Sequence, residues 1–179
     1  FQTMNGRKLT DRTLHAVRVR GLAPGTEYRY RVFSKDATWL STTAYVTYGR
    51  TMATYEQEKY SFRTFTNERR EVNFLMYCDI HGRSDFMKEL SANADFKKYD
   101  FVAFNGDMVS WITGEKEIFD GFMDAAASLF ATSTPLIYSR GNHETRGIWS
   151  HKFTDYFPTE DGRIYQAYYH GGVCFLVLD

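Results

Sequence analysis

Asn73-Phe74-Leu75-Met76-Tyr77-Cys78-Asp79-Ile80-His81-Gly82 is an apolar run that ends on a carboxylate, an imidazole and a glycine. The pattern recurs twice. Residues 99–104 are apolar and lead into Asn105-Gly106-Asp107, and residues 135–138 lead into Arg140-Gly141-Asn142-His143-Glu144. Each run has the length and composition of a buried strand, so residues 73–78, 99–104 and 135–138 are predicted as strands. In an open α/β sheet, ligand sites form beyond the carboxyl ends of the strands. The three loops are therefore expected to converge. Oxygen and imidazole donors without a thiolate suit a hard or borderline ion such as manganese, iron or zinc.

Between these strands the pattern changes to helical. Ile118, Phe122, Ala125 and Leu129 recur at helical spacing over residues 115–130, with Glu115 and Glu117 in the first turn, where the helix dipole favours acids. A shorter helix is expected over 85–94, with Phe86 and Leu90 on its inner face. Residues 164–169 and 173–178 read as two strands joined at His170-Gly171-Gly172. Strand alternating with helix predicts an α/β domain from residue 72 to 179.

The order Asp-x-His, Gly-Asp, Gly-Asn-His-Glu, with 28 residues from Asp79 to Asp107 and 35 from Asp107 to Asn142, resembles the calcineurin-like metallophosphoesterase superfamily. Taken singly, each motif reads as an ordinary turn or cap; the specificity lies in three in order, each after a strand. The resemblance implies an α/β (α+β) layered β-sandwich flanked by helices. It implies a phosphoesterase that hydrolyses mono- or diesters by attack of a metal-bound hydroxide at a two-metal site. Asp107 would bridge the ions, Asp79 and His81 would complete the first metal, and Asn142 would ligate the second. His143 would act on the leaving group as an acid. Glu144 would orient the loop or an imidazole, and Arg140 and Arg83 would form ion pairs or, as the lesser reading, contact phosphate. The family completes its metals with three further histidines, which this sequence does not supply. The expectation is a piece of a longer polypeptide, with weak metal binding and little activity in this span alone. The alternative is an inactive phosphoesterase fold serving as a binding or scaffold module.

Upstream, residues 13–20 alternate as a half-buried strand with His15, Val17 and Val19 on one face. The string Gly21-Leu22-Ala23-Pro24-Gly25-Thr26-Glu27-Tyr28-Arg29-Tyr30-Arg31-Val32 resembles a corner of fibronectin type III sandwiches, in which a tyrosine, here Tyr28, hydrogen-bonds back to the turn. Residues 42–48 are β-prone, 56–59 read as a solvated turn, and 60–65 as a last sandwich strand. Such a sandwich needs about seven strands, and three or four are visible before residue 67, so the expectation is a partial all-β domain over 1–67. This layout resembles that of purple acid phosphatases. The motifs depart from the purple type, because His81 is present and Ser110 stands where that group has a tyrosine ligand.

The composition is that of an ordinary globular chain: 43% hydrophobic, 25% charged and zero net charge. There is no global basic field to argue for nucleic-acid or membrane binding, and no run approaches the ~20 apolar residues of a membrane span. Aromatics reach 17%, which favours β-rich packing. Cys78 and Cys174 are expected as buried free thiols. His151 and His170 match no motif and are expected at the surface or in aromatic packing. Trp111 and Trp149 follow site loops and are candidates for a substrate cleft. The fibronectin-like segment suggests an extracytoplasmic location, periplasmic or secreted. Composition does not fix oligomeric state.

Overall fold

The computed structural model describes residues 14–40, 45–53 and 60–179, with the short pairing segments 3–4 and 7–8. The expected turn at 56–59 and residues 42–44 of the β-prone stretch lie outside the described residues. The chain forms two compact units, Phe1–Arg18 with Arg29–Tyr60, and Val19–Tyr28 with Ser61–Asp179. Among the described residues, no helix is long and apolar enough to cross a membrane.

The first unit holds β1 (Thr3–Met4) antiparallel to β2 (Arg7–Lys8). β3 (Glu27–Tyr30) pairs with β6 (Tyr60–Arg63). Within the first unit β4 (Phe33–Leu40) lies antiparallel to β5 (Tyr45–Ala53), with an irregularity between Lys35 and Ala37. The alternation at 13–20 does not become a strand. Residues 14–20 are irregular, and Val17 and Val19 are 85% and 63% exposed. Among the described residues, β3 pairs with β6 and residues 14–20 pair with no strand.

The second unit is built on β7 (Phe74–Tyr77), β8 (Phe101–Asn105) and β9 (Leu136–Ser139), parallel and in that order. The strands fall within two residues of the predicted runs. Helices cross between them. After β7 comes α1 (Ser84–Leu90). After β8 comes a continuous helical stretch: α2 (Glu115–Ile118), a π-helical turn Phe119–Met123, α3 (Asp124–Ala126) and a second π-helical turn Ala127–Ala131. This layer packs Ile118, Phe122, Ala125, Ala126 and Phe130 against Val102, Phe104 and Tyr138 of the sheet. The abundant aromatics meet here edge to face, Phe104 on Phe122 at 5.6 Å and on Tyr138 at 5.5 Å, the arrangement favoured by ring quadrupoles. α4 (Phe153–Tyr156) adds Phe153 to the same cluster.

The inner face of α1 differs from expectation. Phe86 and Leu90 are 38% and 55% exposed, whereas Met87 and Ser91 are buried. The Ser91 hydroxyl lies 2.6 Å from the Tyr77 hydroxyl and the Met87 carbonyl, and this polar contact sets the rotation of the helix.

On the other face of the sheet lies a hairpin, β10 (Gln166–His170) and β11 (Val173–Val177). Its turn residues Gly171 and Gly172 have φ of 61° and 81°, the left-handed conformation that a two-residue hairpin turn requires. Val177 and Phe175 pack on Phe101 and Ile137. The unit is thus layered as helices, parallel sheet and antiparallel hairpin, which is the mixed α/β class expected from the sequence.

Candidate metal centre

Three loops meet beyond the carboxyl ends of β7, β8 and β9. The first two continue the parallel pairing after the strands stop. Asp79 N–H donates to the Gly106 carbonyl at 3.3 Å, His81 N–H to Asp107 at 3.0 Å and Gly82 N–H to Met108 at 2.7 Å. The second and third are held by Glu144, whose carboxylate is fully buried. It accepts from the backbone N–H groups of Asp107 (2.9 Å), Met108 (2.8 Å), Val109 (3.4 Å) and Gly141 (2.8 Å), and from the Tyr138 hydroxyl (2.9 Å). A buried carboxylate is tolerable only when so compensated. Burial first, and Glu144 second, push the Tyr138 phenol well above its usual range. Gly106 and Gly141 lie back to back, and a Cβ on Gly106 would stand 2.7 Å from the Gly141 Cα. The close approach of these two loops therefore requires glycine.

Asp79, His81 and Asp107 all have positive φ, at 57°, 53° and 56°. Non-glycine residues adopt this region at a cost, and such outliers cluster at functional sites. The loops deliver His81, Asp107 and His143 together, with one donor atom of each within 4.8 Å of the others. The His81 and His143 rings meet edge to face at 4.5 Å. His143 N–H donates to Asp107 Oδ1 at 3.0 Å. His143 Nδ1 lies 2.8 Å from the Ser110 carbonyl. A carbonyl only accepts, so Nδ1 carries the proton and Nε2 is left for other chemistry. The Ser110 hydroxyl lies 3.3 Å from His81 Nδ1.

Asp79 stands at the edge of this group. Its Oδ1 is 3.5 Å from His81 Nε2, and its Oδ2 accepts from the Cys78 thiol at 2.8 Å. That bond and the neighbouring His81 hold the Asp79 carboxyl below its usual range. The same bond pushes the Cys78 thiol up to about 11. The Asn142 amide nitrogen donates to the Asp107 carboxylate at 3.1 and 3.3 Å, and its oxygen accepts from Arg146 Nη2 at 2.8 Å. Imidazole and carboxylate donors at this spacing fit a borderline or hard divalent ion.

Of the two arginines nominated from sequence, Arg140 forms an ion pair and Arg83 bonds to its own loop. Arg140 makes a two-point bond to Asp179 at 2.6 and 2.7 Å. Arg83 donates to the Ile80 and Asp79 carbonyls at 3.1 and 3.3 Å and stacks on Phe86. Trp111 is 57% exposed and lines an open cleft of about 340 Å³ with His81, Ser110 and Lys116, whereas Trp149 packs on the core. His151 is exposed. His170 is buried in aromatic packing, one of the two expectations, with its ring tilted against Phe65 at 4.9 Å and accepting from Thr66 N–H at 3.2 Å. Both cysteines are free, but they are exposed, not buried; Cys78 lies just past the end of β7 and Cys174 lies within β11. Tyr138 and Arg146 were not singled out by motif, and Ser110 only as the position of an absent tyrosine ligand. Ser110 acts partly through its carbonyl, which leaves no signature in side-chain chemistry.

Residues 72–177 match the family model of the calcineurin-like phosphoesterases. No curated protein matches the chain significantly. Among solved structures, the purple acid phosphatase PPD1 isolated from yellow lupin (Lupinus luteus) seeds shares the fold, with a TM-score of 0.54 at 16% identity, over 90% of this chain and 32% of that one. The chain thus spans about a third of the length of the lupin protein. With more than half of its residues accounted for, and the three matching loops brought to one point, this chain belongs to the calcineurin-like phosphoesterase family.

Proposed function

We propose that the protein is a metal-dependent phosphoesterase that hydrolyses phosphate mono- or diesters at a two-metal centre. The observation that carries this is the convergence of His81, Asp107 and His143 donor atoms within 4.8 Å. Asp79 and His81 would hold one ion, Asn142 the other, and Asp107 would serve both. When bound, the ions neutralise phosphoryl oxygens and acidify the attacking water; manganese, iron and zinc all suit the donors.

The chain's own residues do the rest. The Ser110 carbonyl fixes the tautomer and direction of His143, so a protonated imidazole presents Nε2–H to the leaving oxygen. Glu144 holds the Asp107 and Asn142 loops at fixed spacing.

The same proposal assigns residues 1–67 to a partial fibronectin-like domain and 72–179 to the phosphoesterase domain, in an extracytoplasmic protein. The bond from Ala23 N–H to the Tyr28 hydroxyl, 2.8 Å, supports the first part, as does a fold likeness that reaches beyond residues 72–177. Hydrolysis of chromogenic mono- and diesters by the full-length protein tests the function. Turnover that needs manganese, iron or zinc and is lost in Asp107→Asn is expected. No turnover with any of these ions overturns it.

A further inference from the structure

Three arginines lie near the site loops, and their engagements differ. Arg140 has both faces of its fork filled by Asp179. Arg83 is spent on two backbone carbonyls of its own loop. Arg146 is exposed and, among the described residues, has no carboxylate within ion-pair distance. Yet its backbone is fixed at both ends: its N–H donates to His143 at 3.0 Å, and its carbonyl accepts from Ile112 N–H at 2.8 Å.

The guanidinium is aimed at the site. Nη1 lies 3.3 Å from His143 Nδ1. Since Nδ1–H already donates to Ser110, that approach sets donor against donor and is not a hydrogen bond. The guanidinium's one acceptor among the described residues is the Asn142 oxygen, 2.8 Å from Nη2. An arginine held beside the proton-donating histidine, with no carboxylate across its fork and no acceptor for Nη1 among the described residues, is a site for an anionic oxygen.

We propose that Arg146 binds the phosphoryl group of a phosphomonoester at this centre, a role that presupposes the phosphoesterase function above. A monoester offers three non-bridging oxygens and a dianion; a diester offers two and a single charge. The guanidinium therefore favours the monoester.

The test uses full-length protein loaded with manganese, comparing wild type, Arg146→Gln, Arg146→Lys and, as a surface control, Arg163→Gln. Three readouts are needed: bound metal by elemental analysis, inorganic phosphate affinity by calorimetry, and kcat/KM on an aryl phosphate monoester and the matched diester. Arg146→Gln is expected to keep its metal, to lose phosphate affinity and monoester kcat/KM by roughly ten- to hundredfold, and to lose less than about threefold on the diester. Lysine restores charge without the fork and recovers only part. Unchanged phosphate affinity in Arg146→Gln, no phosphate binding by wild type, or equal losses on both esters overturns the proposal. Phosphate binding that depends on Arg146 without hydrolysis of either ester leaves the anion site standing and overturns the phosphoesterase function instead.

Discussion

The two sides of the metal centre are built differently. On the β8–β9 side, Asp107, Asn142 and His143 ride on loops locked together by a buried carboxylate and by two glycines in contact. On the β7 side, Asp79 and His81 hang from a loop held by backbone pairing, and the Asp79 side chain is largely open to solvent. One side is organised by the protein before any ligand arrives; the other has donors in place with few restraints on the side chains. The difference teaches that the motif residues divide by task. Glu144, inside the same short motif as Asn142 and His143, is a structural keystone, while Asp79 carries no such packing role.

The comparison breaks most readily at Glu144. Glu144→Ala strands several buried N–H groups and a buried hydroxyl, and should cost roughly 3–5 kcal/mol in urea unfolding; a loss below about 1 kcal/mol would show that the loops are held by something else. Gly141→Ala drives a methyl into Asp107 and should cost roughly 2 kcal/mol, with metal affinity falling in parallel. Asp79→Asn should change metal-free stability by less than about 0.5 kcal/mol, yet weaken metal binding roughly tenfold or more, as followed by calorimetric titration. A large stability loss there would erase the contrast.

The smallest effect concerns Cys78. Its thiol is pushed up from 9.0 to about 11, chiefly by the bond to Asp79. The folded value lies above the unfolded one, so its contribution to stability is full below pH 9 and is lost as pH rises through about 11. At pH 8 the metal-free protein should alkylate slowly at Cys78, and faster in Asp79→Asn; equal rates would deny the bond.

Much of this was legible in the sequence because the informative features are local. Three apolar runs that stop at glycine and a ligand mark strand ends, and β7, β8 and β9 lie within two residues of those runs. The hairpin was legible from Gly171 and Gly172. What was not legible depends on distant partners. The pairing of Arg140 with Asp179 spans 39 residues. The choice of Met87 over Phe86 and Leu90 as the buried face of α1 follows from a contact between Tyr77 and Ser91. Among the described residues, the alternation before Gly21 has no partner strand, and without one an alternating segment does not become a strand. Arg146 carries no motif, and its placement comes from backbone bonds to His143 and Ile112.

The most direct measurement is the metal content of the full-length protein, by elemental analysis, for wild type and Asp107→Asn. About two equivalents of manganese, iron or zinc in wild type, falling sharply in Asp107→Asn, is the predicted result. No bound metal in wild type after incubation with any of these ions would contradict the assignment of this site.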